Sequence, residues 1–144
     1  NRTIFFQRVN FEKFLGIVKS LDIILAPFYF GMGNTFYQAM AFGTPVVSLA
    51  GKDSRTRIPI AGYKQMGLVN PPIAKNPEEF LSLVKKLAFN NSYKESIKSQ
   101  IIQNSGKYLF EDKKIHKEYI DFFKAALEAA KKDKFLSNEW NIEK

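Results

Sequence analysis

Residues 25–49 read LAPFYFGMGNTFYQAMAFGTPVVSL, and the fold turns on how that stretch is parsed. Leu25-Ala26 close one apolar run, and Pro45-Val46-Val47-Ser48-Leu49 open another. Between them lie Gly31, Gly33 and Asn34, then a helix-compatible run from Thr35 to Phe42 that Gly43 ends. The parse is therefore strand, glycine loop, short helix, strand. Asn34 is expected to cap the helix, its side chain accepting from amides of the first turn. A helix start fed by a glycine loop at the carboxyl end of a strand is an anion site, because free amides and the positive end of the helix dipole face the loop. Gln38, three residues past Thr35, falls one turn up on roughly the same helix face. A loop that holds phosphates, with a polar side chain one turn later, suits the diphosphate and ribose of a nucleotide.

Upstream, Thr3-Ile4-Phe5-Phe6-Gln7-Arg8 is rich in β-formers and predicts a buried strand with Arg8 at its carboxyl end. Phe11, Phe14, Leu15 and Val18 recur at helical spacing after the potential cap Asn10. Asp22-Ile23-Ile24-Leu25-Ala26 is continuously apolar after its first residue, as expected of a strand covered on both faces. Downstream, residues 51–57 (GKDSRTR) form a polar, basic loop after a strand end. A helix is expected from about Arg57 or Ile58 to Met66, with Pro59 in its first turn and Gly67 after it. Leu68-Val69-Asn70 reads as a short edge strand. Asn76-Pro77-Glu78-Glu79 starts a helix whose stripe is Phe80, Val84, Leu87 and Ala88. Ser92 and Glu95 read as a capping box for the next helix, with Ile97, Ile101 and Ile102 inward. A final helix is expected over about 114–132, with Ile115, Tyr119, Phe122, Phe123, Ala126 and Leu127 on one side. The remainder, 133–144, is a polar tail around Trp140.

Short strands alternating with helices imply an α/β, Rossmann-like three-layer domain. It has a short parallel sheet, helices on both faces and a helical C-terminus. It spans 1–132, and 144 residues suffice for one domain with a real core. No cysteine is present, which excludes disulfides and thiolate metal sites, and His116 is the single histidine. A histidine-based triad or multi-histidine metal centre therefore has little to work with. No apolar run approaches the length of a membrane span and no signal-peptide pattern is visible, so no membrane partner and a cytoplasmic location are expected. The chain does not start with Met and begins close to a core strand, as a piece cut from a longer protein would. The net charge is +8. Residues 1–110 hold fourteen Lys/Arg against six Asp/Glu, whereas 111–144 hold eight of each, so the surplus lies on the half with the glycine loop. That suits an anionic ligand. Nucleic acid is disfavoured, because the lysines neither line one helix face nor interleave with aromatics. A dehydrogenase is disfavoured because Gly31-x-Gly33 is followed by Phe36, not by a third glycine.

From Arg8 to about Glu111 the order of these pieces resembles the C-terminal half of a GT-B glycosyltransferase of the O-GlcNAc transferase or SPINDLY type. Gly33-Asn34-Thr35, Ala39-x-Ala41-x-Gly43-Thr44-Pro45-Val46-Val47, Gly51, Arg55-x-Arg57 and Met66-Gly67 carry the likeness. It implies a UDP-sugar site in this half and an acceptor site in an N-terminal GT-B domain absent from the chain. Tetratricopeptide repeats upstream are a further implied feature. By the same resemblance, Gly33, Asn34 and Thr35 match the loop that holds the diphosphate. Gln38 stands where relatives carry an acid for the ribose hydroxyls; as an amide it can accept one bond and donate another, without charge-assisted strength. Arg8 matches a basic residue near the nucleotide, and Phe11 falls beside the base, where its ring could stack or instead open the helix stripe. Arg57 and Arg55 match arginines after the Pro45–Leu49 strand; Arg57 could equally order its loop.

No catalytic residue is assigned. Asp22 and Asp53 are not promoted to general base, the chemistry being implied to lie across the interdomain cleft. No cofactor and no metal are implied, the UDP-sugar being the donor substrate. The activity implied is transfer of a GlcNAc-like sugar to an acceptor, protein Ser/Thr included, with glycan and small molecule open and the piece alone inactive. The last helix is implied to brace the other domain. A non-catalytic Rossmann-like scaffold with a degenerate nucleotide site is the alternative.

Overall fold

In the computed structural model, which describes residues 2–136, the chain forms two compact units, Asn1–Phe110 and Glu111–Lys144. The first is built on a three-stranded parallel sheet of order β1-β2-β3, with β1 Ile24–Leu25, β2 Val46–Leu49 and β3 Ile73–Ala74. Ile24 lies opposite Val46 and Leu25 opposite Val47; Ser48 lies opposite Ile73 and Leu49 opposite Ala74. β2 is central, and Val46, Val47 and Ser48 are buried. A strand covered on both faces cannot show polar alternation, which explains its continuous apolar reading.

The helices of this unit are α1 Phe11–Ser20, α2 Asn34–Ala41, α3 Ile58–Gln65, α4 Pro77–Phe89 and α5 Asn91–Asn104. α1 packs on α2; α3 lies against β2, and α4 against β2 and β3. The core joins Phe36, Met40, Val46, Val47, Tyr63, Met66, Leu87, Ile97 and Ile101, each at most 2% exposed. β3 falls short of Val46, and the buried Tyr63 hydroxyl takes its place. It accepts from the Val46 amide at 2.7 Å and donates to the Val46 carbonyl at 3.0 Å. A buried peptide group left without partners would be costly, so this side chain serves as a one-residue piece of strand.

Several expectations hold. Asn10 caps α1 by accepting from the Lys13 amide, and Asn76 caps α4 by accepting from Glu79, whose carboxylate in turn accepts from the Lys75 amide at 2.7 Å. Gly43 and Gly67 follow α2 and α3 at positive φ, as helix stops do. Others need correction. Thr3–Arg8 is not a buried strand: it joins no ladder, and Ile4, Phe5 and Phe6 are 77%, 91% and 63% exposed. A β-forming run becomes a strand only where a neighbouring backbone takes its amides and carbonyls, and among the described residues none does so. The third strand is Ile73–Ala74, not Leu68–Asn70. Asn70 has φ 53°, a left-handed turn that breaks the extended path, and the Pro71-Pro72 pair straightens the chain only afterwards. The α5 cap is Asn90, accepting from the Tyr93 amide, and Ser92 sits inside the helix. Ala88 and Ile102 are exposed, whereas Leu83 joins the rim of the core. α5 continues through a π-helical turn, Ser105–Phe110.

The second unit contains α6, Lys114–Ala130. None of its residues is buried; Tyr119, Phe123 and Leu127 are 58%, 61% and 57% exposed. Most of the expected polar tail, Trp140 included, lies outside the described residues.

Candidate nucleotide-sugar site

The three strands run parallel, so the loops after β1, β2 and β3 leave one edge of the sheet, where ligands of open α/β folds bind. The loop after β1 begins with a tight turn in which the Gly31 amide donates to the Pro27 carbonyl at 2.8 Å. Gly31 has φ 73°, and a Cβ there would lie 2.6 Å from the Arg55 carbonyl oxygen and 2.7 Å from the Thr56 Cα. Only glycine fits, and its missing side chain lets this loop press directly on the loop after β2. That second loop is a 3-10 turn, Ser54–Arg57, closed on itself by Thr56, whose amide and hydroxyl both donate to the Asp53 carbonyl, at 3.1 and 2.7 Å. Thr56 is buried, and a Cβ on Gly51 would collide with its side chain. An aromatic glycine loop and a basic glycine loop are thereby locked together at the ligand-binding edge.

α2 starts in this place. Gly33, not Asn34, is the N-cap, and Asn34 is the first helical residue. The cap makes no side-chain hydrogen bond, and no acidic residue lies in the first turn; the Phe36 amide bonds back to the Gly33 carbonyl at 2.9 Å. The correction matters chemically. With the Asn34 side chain not folded back as a cap, the first amides of α2 stay open to an outside acceptor. Asn34 is exposed, Thr35 and Gln38 are half-buried, and the helix is fixed from below by Phe36, fully buried edge-on against Tyr63 at 5.3 Å. Gly62 is closed to any side chain by the same Phe36 ring.

The remaining expected site residues lie on the turn after β2 and around the start of α1. Arg57 ends the 3-10 turn, with Arg55 two residues earlier; both are exposed. α1 brings its carboxyl end to the opposite edge, where the Thr44 hydroxyl donates to the Val18 carbonyl at 3.2 Å just before β2. Phe11 is the first residue of α1, and Arg8 lies three residues before it. The Phe11 ring is 62% exposed, which removes the core-stripe option for it. No hydrogen bond or ion pair engages the Arg8, Arg55 or Arg57 side chains among the described residues, so their charge is available to an anion. Sequence reasoning missed the structural part played by Thr56 and by the turn at Gly31; the pair Gly31 and Gly51, each after a strand, was the available signal.

Asp22 lies at the amino end of β1, away from these loops, and its carboxylate accepts from Lys94 at 2.9 Å. That bond holds its pKa below the usual 3.8. Among the described residues no cluster of three or more His, Asp or Glu side chains could hold a metal ion, and no helix is long and apolar enough to cross a membrane. The arrangement can bind an extended anion and stabilise negative charge that develops on it.

No family model matches the chain. Two curated relatives share 26% identity over 96 residues: the UDP-glucose:protein N-beta-glucosyltransferases of Actinobacillus pleuropneumoniae serotype 5b (strain L20) and serotype 7 (strain AP76). The match covers 67% of this chain and only 16% of each relative. Among solved structures, a mutant of the Thermobaculum terrenum O-GlcNAc transferase superposes with a TM-score of 0.61 and 19% identity, over 66% of this chain and 18% of that one. The architecture that the Gly33-Asn34-Thr35 and Gly43-to-Val47 blocks pointed to is the one observed: in fold, this chain matches part of a GT-B glycosyltransferase of the O-GlcNAc transferase kind.

Proposed function

We propose that residues 1–110 form the donor-binding part of a cytoplasmic glycosyltransferase that moves a sugar from a UDP-sugar to an acceptor, protein side chains included. One observation carries the reading: the open start of α2 lies beside the locked loops 27–33 and 51–57, at the sheet edge where ligands bind. The likeness to glycosyltransferases in sequence and fold supports it. The amides of Asn34 and Thr35 and the Thr35 hydroxyl take the diphosphate, after the close backbone approach that Gly33 permits. Arg8 and Arg57 add charge, Gln38 reaches the ribose hydroxyls, and the exposed Phe11 ring meets the base. In transfer, the acceptor oxygen or nitrogen attacks the anomeric carbon, the bond from that carbon to the diphosphate breaks, UDP leaves with the charge, and the acceptor's proton passes to a base or to water. Amides and arginines already aimed at that charge lower the barrier without a metal. The acceptor site and any base belong to a second GT-B domain, for which α6 is a brace, so the 144-residue chain alone transfers nothing.

Calorimetric titration with UDP, with AMP as control, tests this. UDP is expected to bind and AMP only weakly. Asn34→Asp places a carboxylate in the first turn of α2, which favours the helix by about 0.3–1 kcal/mol while repelling phosphate. It should hold or raise the melting temperature and weaken UDP at least about tenfold, or ~1.4 kcal/mol. Absence of UDP binding at millimolar concentration would favour a non-catalytic scaffold instead, an option that the uncharged Gln38 keeps in view.

A further inference from the structure

The turn that precedes the glycine loop carries three aromatic residues in a row, and only one is spent on packing. Phe28 meets Phe80 edge-to-face at 4.9 Å. Tyr29 and Phe30 are 91% and 65% exposed. The turn is rigid: the Gly31 amide closes it on the Pro27 carbonyl, Phe28 pins one side, and Gly31 wedges the other against Arg55 and Thr56. Rings held in water on a fixed turn contribute nothing to folding, so their placement calls for another partner. Along the chain they lie on the far side of Gly31 from Gln38. The order Gln38, Asn34-Thr35, Gly31, Tyr29-Phe30 parallels ribose, diphosphate and hexose in a nucleotide-sugar.

We infer that Tyr29 and Phe30 form the wall against which the hexose of the donor stacks; this rests on the donor-site reading given above. One face of a pyranose presents C–H groups, weakly positive and apolar, and the face of an aromatic ring is electron-rich and apolar. A ring pair beside a diphosphate clamp therefore discriminates the sugar-bearing nucleotide from the bare one, which diphosphate and ribose contacts cannot do. Few-point polar fixing beside an aromatic wall is the usual construction of such sites.

The test compares UDP with UDP-glucose on the 144-residue chain by calorimetry, for the parent and for Tyr29→Ala, Phe30→Ala and Tyr29→Phe. Both side chains are exposed, so the melting temperatures should not move. The parent should bind UDP-glucose about fivefold tighter than UDP, the span of one stacking contact. Tyr29→Ala and Phe30→Ala should each erase most of that ratio, leave UDP itself unchanged, and Tyr29→Phe should retain it. A parent ratio of one, or a ratio that both alanine variants preserve, overturns the hexose wall and leaves the UDP site standing. No UDP binding by the parent overturns both.

Discussion

Tyr63 and Gly31 are the two side-chain positions on which the site depends most directly. The Tyr63 hydroxyl supplies both partners of the Val46 peptide group, and burial raises its pKa well above the usual 10.0, so it stays protonated and able to donate at any working pH. Tyr63→Phe keeps the ring against Phe36 and strands a buried amide and carbonyl. A loss of about 1–3 kcal/mol is expected from urea unfolding, far above that of an exposed tyrosine such as Tyr29. Gly31→Ala meets both the left-handed backbone and the Arg55 carbonyl, so the two loops must part. Here UDP affinity should fall more than stability, since the clash lies at the ligand edge and not in the core; equal UDP affinity in Gly31→Ala would show that loop contact is irrelevant to binding. Asp22 gives a pH handle. Its carboxyl pKa is depressed by the Lys94 bond, so the bridge stabilises the fold above the usual 3.8 and is lost as pH falls through the lower folded-state value. In a pH series of melting temperatures, Asp22→Asn should flatten the acid-side decline.

Among elements, β1, β2, the glycine loop and the start of α4 were legible because each is written in local chemistry: continuous apolar residues, glycines at positive φ, and Asn-Pro-Glu-Glu; β3 was not, because two residues after a proline pair carry no strand pattern. The starts of α2 and α5 were misread by one or two residues, in both cases because a polar residue that could cap follows closely on the true cap. In α5 the choice fell to Asn90 over Ser92, and the consequence is measurable. Asn90→Ala should cost about 1 kcal/mol, and Ser92→Ala close to nothing, in chemical denaturation. In α2 the choice fell to Gly33 over Asn34, and periodicity could not reveal that, since both residues permit a helix start. The contact of Gly31 with Arg55 and Thr56 was not legible either: it joins residues more than twenty apart, and no local pattern encodes the meeting of two loops. Thr3–Arg8 failed for the opposite reason, since its composition states a strand propensity that only a neighbouring backbone can satisfy.

Among the described residues, all buried apolar residues of the core lie between Val18 and Ile101, inside the first unit. A chain ending at Phe110 should therefore fold cooperatively with a melting temperature close to that of the longer one, by calorimetry or circular dichroism; an unfolded 1–110 would show that α6 is part of the folding unit. The shortened chain also keeps the entire positive surplus of +8, so its UDP affinity should decline steeply with added salt. One last consequence concerns handling. The exposed run Ile4-Phe5-Phe6 is rich in β-formers, lacks charge between Arg2 and Arg8, and sits in the same chain as short strands with open edges. Such segments stack with their counterparts in other molecules, and the two flanking arginines are the gatekeepers that slow this. In concentrated stocks the lag before thioflavin-positive fibrils appear should shorten when Arg2 and Arg8 are neutralised and lengthen with Phe5→Lys, which makes these few residues the determinant of shelf life.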